Sequence, residues 1–222
     1  MLSIDKVRFW WDEAEGCYDL ELLDPEATVA DYERASEQAL TAQDVLRRYS
    51  ESCIGCCICC GGRLPLTVVD VYRLKMGGLG AGLPLDSWVE TYGSIERQNG
   101  GVDITLNLDG YETCALWDRG RGLCCVYESR PLICRTYICA PLSWRAMELR
   151  AQVVNAGEDE LVSMLGIGNK DERPGRLPPF AGVLDYRAVM LLDVCSSRLW
   201  HYLTEHSGES GNFSRTDIEQ NR

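Results

Sequence analysis

Histidine is scarce in this chain: His201 and His206 are the only two, and both lie near the C-terminal end, far from the central cysteines. A metal site in the middle of the chain is therefore expected to be all-thiolate, with the histidines able to join it only if the last helix folds back over it. Basic charge is also short. Lys and Arg number 22 against 34 Asp and Glu, for a formal net charge of −12, which excludes the basic face that neutralises duplex phosphates and makes nucleic acid an unexpected partner. No uncharged stretch approaches the roughly 20 residues that span a bilayer, so no membrane partner is expected. The segment Met1 to Arg8 lacks an apolar core of signal-peptide length, with acids from Asp5 through Glu15, so a cytoplasmic location is expected. No glycine-rich nucleotide loop follows a strand: Gly77 to Gly82 follows a helical pattern and reads as a linker.

What is abundant is cysteine. Ten of the twelve fall between Cys53 and Cys139, in a run Cys53, Cys56, Cys57, Cys59, Cys60 and a string Cys114, Cys124, Cys125, Cys134, Cys139. In a reducing compartment such crowding means chelation before disulfides, and the adjacent pairs Cys56-Cys57 and Cys59-Cys60 are poorly placed to bridge within themselves. Thiolates are soft donors that suit zinc and iron–sulfur clusters, and a two-residue gap turns both sulfurs toward one metal. If the first run is extended, neighbouring cysteines point to opposite sides and serve different centres. If it is helical, Cys53, Cys56, Cys57 and Cys60 share a face. Either way there are more sulfurs than one tetrahedral metal uses. Arg130 and Arg135 flank Cys134 and are candidate cofactor-binding residues, because guanidinium donors stabilise an anionic cluster and raise its potential; a solvated face or a salt bridge to Glu128 is the alternative. Cys17 and Cys195 lie outside the crowded segment, and Cys195 reads as a core residue.

The expected fold class is α+β: a mainly helical single domain, 1–206, with small hairpins around a cysteine-rich, metal-stabilised centre at 51–140 and a flexible tail at 207–222. Val7 to Trp11, a turn at Asp12 to Gly16 and the alternation from Tyr18 read as a hairpin. Thr28 caps a helix with Val29, Tyr32, Ala35, Ala39, Ala42 and Leu46 on one side. Thr67 to Asp70 is a capping box for a helix through Met76, stopped by Gly77-Gly78. Leu85 to Gln98 reads as a helix, Val102 to Leu108 as a half-buried strand, and Asp109-Gly110 as a hairpin turn into Tyr111 to Trp117. Short helices are expected at Trp144 to Val153 and Asp159 to Leu165, a loop at Gly166 to Pro179, and a long amphipathic helix from Asp185 to Leu203.

The cysteine region resembles the YkgJ-type cysteine-cluster family, through Cys53-x-x-Cys56-x-x-Cys59-Cys60, then Cys114, then Cys124-x-Val-Tyr-Glu-x-Arg-Pro-x-x-Cys134-Arg-x-Tyr. The resemblance implies zinc or iron chelation, with Cys53, Cys56, Cys59, Cys60, Cys114, Cys124 and Cys134 as metal ligands and Cys139 as a further one. Cys57, where the family usually has glycine, and Cys125, beside the expected Cys124, depart from the pattern, as spare thiols or substitute ligands. Eight to ten thiolates suit one or two [4Fe-4S] clusters or two zincs equally by count. The neighbouring Ile54, Ile58, Leu132, Ile133 and Ile138 favour an iron–sulfur cluster shielded from water, with a redox, catalytic or cluster-handling role and an acceptor or redox protein as partner. A structural zinc site without catalysis is the alternative. A wider resemblance to flagellin lysine N-methylase implies S-adenosylmethionine-dependent methyl transfer as another.

Overall fold

The computed structural model describes residues 5–42, 55–98, 101–168 and 179–205. Leu46, His206 and the tail from Ser207, each named in the sequence reading, lie outside the described residues.

Local sequence rules build the N-terminal third. Strand β1 (Val7–Asp12) pairs antiparallel with β2 (Cys17–Leu22), Val7 opposite Leu22 and Asp12 opposite Cys17. Between them Asp12 Oδ1 accepts from the Ala14 and Glu15 N–H groups at 2.9 and 3.2 Å, an aspartate turn of the kind short polar side chains favour. Helix α1 (Val29–Thr41) opens on a capping box in which Asp31 N–H donates to Thr28 Oγ1 and Thr28 N–H donates to Asp31 Oδ2. Val29, Tyr32, Ala35 and Ala39 are buried along one face, as the helical spacing predicts, while Ala42 caps the end and is exposed. Helix α2 (Val68–Met76) repeats the device with Thr67 and Asp70 and ends at Gly77.

Elsewhere tertiary contacts override local pattern. The helix expected over Leu85 to Gln98 stops at Tyr92 (α3, Leu85–Tyr92), and Gly93–Gln98 is a strand, β3, paired antiparallel with β4 (Gly101–Leu106). A Cβ at Gly93 would stand 3.0 Å from the Val89 carbonyl oxygen and 3.2 Å from that of Thr105, so glycine is what lets the strand leave the helix at this point. Because β4 takes β3 as its partner, Asp109-Gly110 does not open a long hairpin. Asp109 Oδ1 instead accepts from Tyr111 and Thr113 N–H groups and closes a tight loop with a single bridge between Leu108 and Cys114. The short pair β5 (Trp117–Asp118) and β6 (Leu123–Cys124) follows, then α4 (Leu132–Arg135).

The two short helices expected after Trp144 are one, α5 (Trp144–Met164). Gly157 does not break it. Its missing side chain is where α2 makes its closest approach, since a Cβ there would lie 2.6 Å from Thr67 Cβ. The long C-terminal helix expected over Asp185 to Leu203 is broken into a 3-10 turn at Tyr186–Ala188, α6 (Leu191–Val194) and α7 (Ser197–Glu205). The break has a partner: Met190 bridges to Thr28, with Val29 N–H donating to Val189 O and Leu191 N–H donating to Ala27 O, both at 2.9 Å. Backbone pairing with the entry to α1 outweighs continuation of the helix.

The result is mainly helical α+β, seven helices with small antiparallel two-stranded sheets among the described residues. One continuous core joins Leu20, Tyr32, Leu66, Trp88, Ile104, Leu132, Leu149, Phe180 and Tyr186, so both ends of the chain pack around the centre. Helix α5 is the hub, touching α2, α4, α6, α7, β2 and β4. A smaller cluster holds Tyr18, Ala39, Ile138 and Ala140. No helix among the described residues is long and apolar enough to cross a membrane.

Candidate metal centre

Backbone hydrogen bonds bring the two cysteine groups together. The proximal run turns through a 3-10 segment, Ile58–Cys60, with Cys60 N–H donating to Cys57 O at 2.9 Å. Cys114 N–H donates to Cys60 O at 2.7 Å, and Gly61 bridges Thr113. Further along, Gly55 N–H donates to Gly122 O at 2.9 Å. Gly122 has φ +63°, and a Cβ on it would come within 3.2 Å of Gly55 Cα. Two glycines thus permit the close approach of the loop before Cys56 and the loop before Cys124. Cys124 sits in β6 opposite Trp117, and Cys125 N–H donates to Leu116 O at 2.9 Å.

Cys134 arrives on α4, whose start is fixed from the core. Leu132 N–H donates to Asp70 Oδ1 at 2.8 Å, Tyr186 OH donates to the same oxygen at 2.6 Å, and Thr67 N–H donates to Asp70 Oδ2 at 3.0 Å. Asp70 is fully buried, and burial raises its carboxyl above the ordinary range. The carboxylate caps α2 and anchors α4 together. From the other side, α4 is tied to α1 and α2 by a charge network: Arg73 and Arg135 both meet the buried Glu33, and Arg135 and Arg130 both meet Glu37.

The thiols of Cys59, Cys60, Cys114, Cys124 and Cys134 perturb one another. A hydrogen bond from Cys60, aided by Arg130 and Arg150, lowers Cys59 to about 6, and the same hydrogen bond drives Cys60 upward. Burial pushes Cys114 up to about 11, with Cys124 and Cys125 adding to it. Burial also raises Cys124 and Cys134, each of which feels Cys59. So five of the eight predicted ligands form one electrostatic neighbourhood, with the exposed Cys125 at its edge. Cys56 enters through the Gly55–Gly122 contact and is half-buried. Cys139 falls between Ile138 and Ala140, which pack in the smaller core cluster, and Cys53 lies outside the described residues.

Among the described residues, no group of three or more Cys, His, Asp or Glu side chains is arranged so that it could hold a metal ion. The donor set itself fits a soft or borderline metal: several neighbouring sulfurs from three segments, with guanidinium groups in reach.

The two arginines singled out from sequence divide. Arg130 stacks on Tyr127 with its guanidinium carbon 3.8 Å from the ring centroid and lies within electrostatic reach of Cys59 and Cys124. Arg135 is taken up by Glu33, Glu37 and the carbonyl of Glu128. Sequence reasoning missed Arg150, on α5, which also lowers Cys59. No local spacing marks it, because only the packing of α5 on α4 carries it to the thiols. His201 is exposed on α7, and Cys195, half-buried at the end of α6, is raised to about 12 by burial alone.

Residues 52–153 match the CxxCxxCC family, whose description reads "Putative zinc- or iron-chelating domain". The match runs from just before Cys53 to the middle of α5 and so includes Arg150. No curated protein and no solved structure matches the chain.

Proposed function

From the premise that residues 52–153 match the CxxCxxCC family, described as zinc- or iron-chelating, we propose that this protein binds an iron–sulfur cluster and serves a redox or cluster-handling role. The observation that carries the reading is the neighbourhood of Cys59, Cys60, Cys114, Cys124 and Cys134, whose thiols perturb one another beside Arg130 and Arg150. Four thiolates hold one [4Fe-4S] cluster, and an excess of sulfur beside cationic donors favours an anionic cluster over a single zinc, which needs only four ligands and no cations. In this reading the ligands come from these five cysteines together with Cys53 and Cys56, and Cys139 serves only if a second cluster is present. When bound, the cluster supplies one-electron chemistry. The protein's part is to fix the sulfurs, shield them with Leu132 and Trp117, and balance their charge.

Ile58, Tyr111 and Tyr127 are exposed on the segments that bear the cysteines, Tyr111 by 77%, which supports a protein redox or cluster-accepting partner meeting the centre there. A reducing cytoplasm, which keeps vicinal thiols free, is the compartment this chemistry requires. The test is anaerobic purification with metal analysis and electron paramagnetic resonance of the reduced protein. Brown protein with about four or eight irons per chain and broad absorption near ~400 nm supports the proposal; a colourless protein with stoichiometric zinc refutes it and leaves a structural zinc domain.

A further inference from the structure

Every arginine in the charge network around α4 has a carboxylate: Arg73 has Glu33, Arg130 has Glu37, and Arg135 has both. Arg150 differs. Its Nη2 donates to Ile133 O at 2.6 Å and its Nε to Thr136 Oγ1 at 3.3 Å, while Tyr137 lies 5.3 Å away under the guanidinium. Thr136 Oγ1 in turn donates to Leu132 O at 2.7 Å. The guanidinium is thus clamped across the turn that carries Cys134, using neutral acceptors only, and no carboxylate among the described residues forms an ion pair with it. A half-buried cation without an anion is costly. Tyr32, Cys134, Tyr137 and Cys59 lie within electrostatic reach of it, and burial pushes the Tyr32 hydroxyl up to about 12.

We propose that Arg150 is the countercharge of the metal centre, a positioning residue clamped to the turn that carries Cys134 and aimed at the anionic sulfur a bound metal holds there. Sulfurs held as thiolates by a metal supply the anion that no carboxylate supplies, and Arg150 makes those thiolates less costly to hold. The inference rests on the metal-binding reading, and it holds for zinc as for a cluster, because both need anionic sulfur.

The experiment compares full-length R150Q and R150K with the native protein, each checked for native helix content by circular dichroism. In cluster-loaded protein, loss of the cation disfavours the added electron, so for R150Q the reduced-to-oxidised ratio at a fixed potential is expected to fall at least tenfold, about 59 mV for a one-electron couple. R150K keeps the charge without the fork and should stay within threefold. A folded R150Q within twofold of native overturns the proposal, and so does a tenfold shift in R150K, which would assign Arg150 to the geometry of α4. If the protein takes up zinc and no iron, the cluster reading fails, and Arg150 is read by chelator competition. R150Q should then hold zinc at least tenfold more weakly and R150K within threefold, and equal affinities overturn the proposal. Should R150Q not fold, the R150K limits decide alone; if neither folds, Arg150 belongs to the fold and the proposal is overturned.

Discussion

Replacing Asp70 by alanine tests whether the fold positions Cys134 through a single carboxylate. Asp70 accepts from Leu132 N–H, Tyr186 OH and Thr67 N–H, and none of these donors has water to turn to, since Thr67, Asp70, Leu132 and Tyr186 are all buried. Tyr186 OH keeps a partner in Thr67 Oγ1 at 2.5 Å. Two backbone donors are therefore orphaned, at about 1–3 kcal/mol each, while the other half of the α2 cap survives, because Thr67 Oγ1 accepts from the backbone N–H of residue 70. Relief from burying a charge offsets part of this, which leaves a net cost of about 3–4 kcal/mol. Against a usual total of about 5–15 kcal/mol, that is a large share of stability. It corresponds to a melting temperature lower by about 6–16 °C in a chain of this size. Urea unfolding followed by far-UV circular dichroism, with and without chelator, measures it. Metal content should fall as well, because α4 has lost its anchor. A loss below about 1 kcal/mol with full metal content would refute the claim that Asp70 places Cys134.

Other perturbations report on separate parts of the structure. Glu158 accepts from Ile104 N–H at 2.8 Å and from Arg63 at 3.2 Å, yet burial pushes its carboxyl up from 4.5 to about 7. The folded state therefore holds this proton more tightly than the unfolded chain, and Glu158's contribution is present below pH 4.5 and lost as pH rises to about 7; E158Q should remove that slope in urea titrations across the window, and an unchanged slope counts against it. Gly157→Ala, which gains about 1 kcal/mol in an ordinary helix, should here destabilise by about 1–3 kcal/mol, because the new methyl would stand 2.6 Å from Thr67 Cβ; a rise in melting temperature would show that α2 and α5 can separate. Cys134→Ser and Cys60→Ser should each lower bound metal at least tenfold, read by metal analysis after dialysis against chelator, whereas Cys195→Ser should leave it unchanged.

Where local chemistry decides, the structure was legible in the sequence. The hairpin of β1 and β2, the cap at Thr28 and the capping box at Thr67 form as spacing predicts, because each needs only residues within a few positions. Three elements were misread for one shared reason, a partner distant in sequence. Gly93 to Gln98 leaves helix for the open edge of β4, Gly157 stays helical because Thr67 packs on it, and Met190 leaves helix to pair with Thr28. The cysteines could be named as ligand candidates because thiol chemistry is visible residue by residue. Arg150 could not, since nothing in its neighbours distinguishes it from an exposed helix arginine.

The bond from Cys114 N–H to Cys60 O bears on how the protein would respond to losing a metal. It joins two candidate ligand residues through backbone alone, so a metal held by both would brace a junction that the backbone also makes. Loop closure of that kind carries an entropy cost that grows slowly with length, and the bond and the metal would share it. Chelation should therefore loosen the cysteine side chains more than it separates Cys60 from Cys114, and hydrogen exchange at the Cys114 amide, with and without chelator, reads the difference.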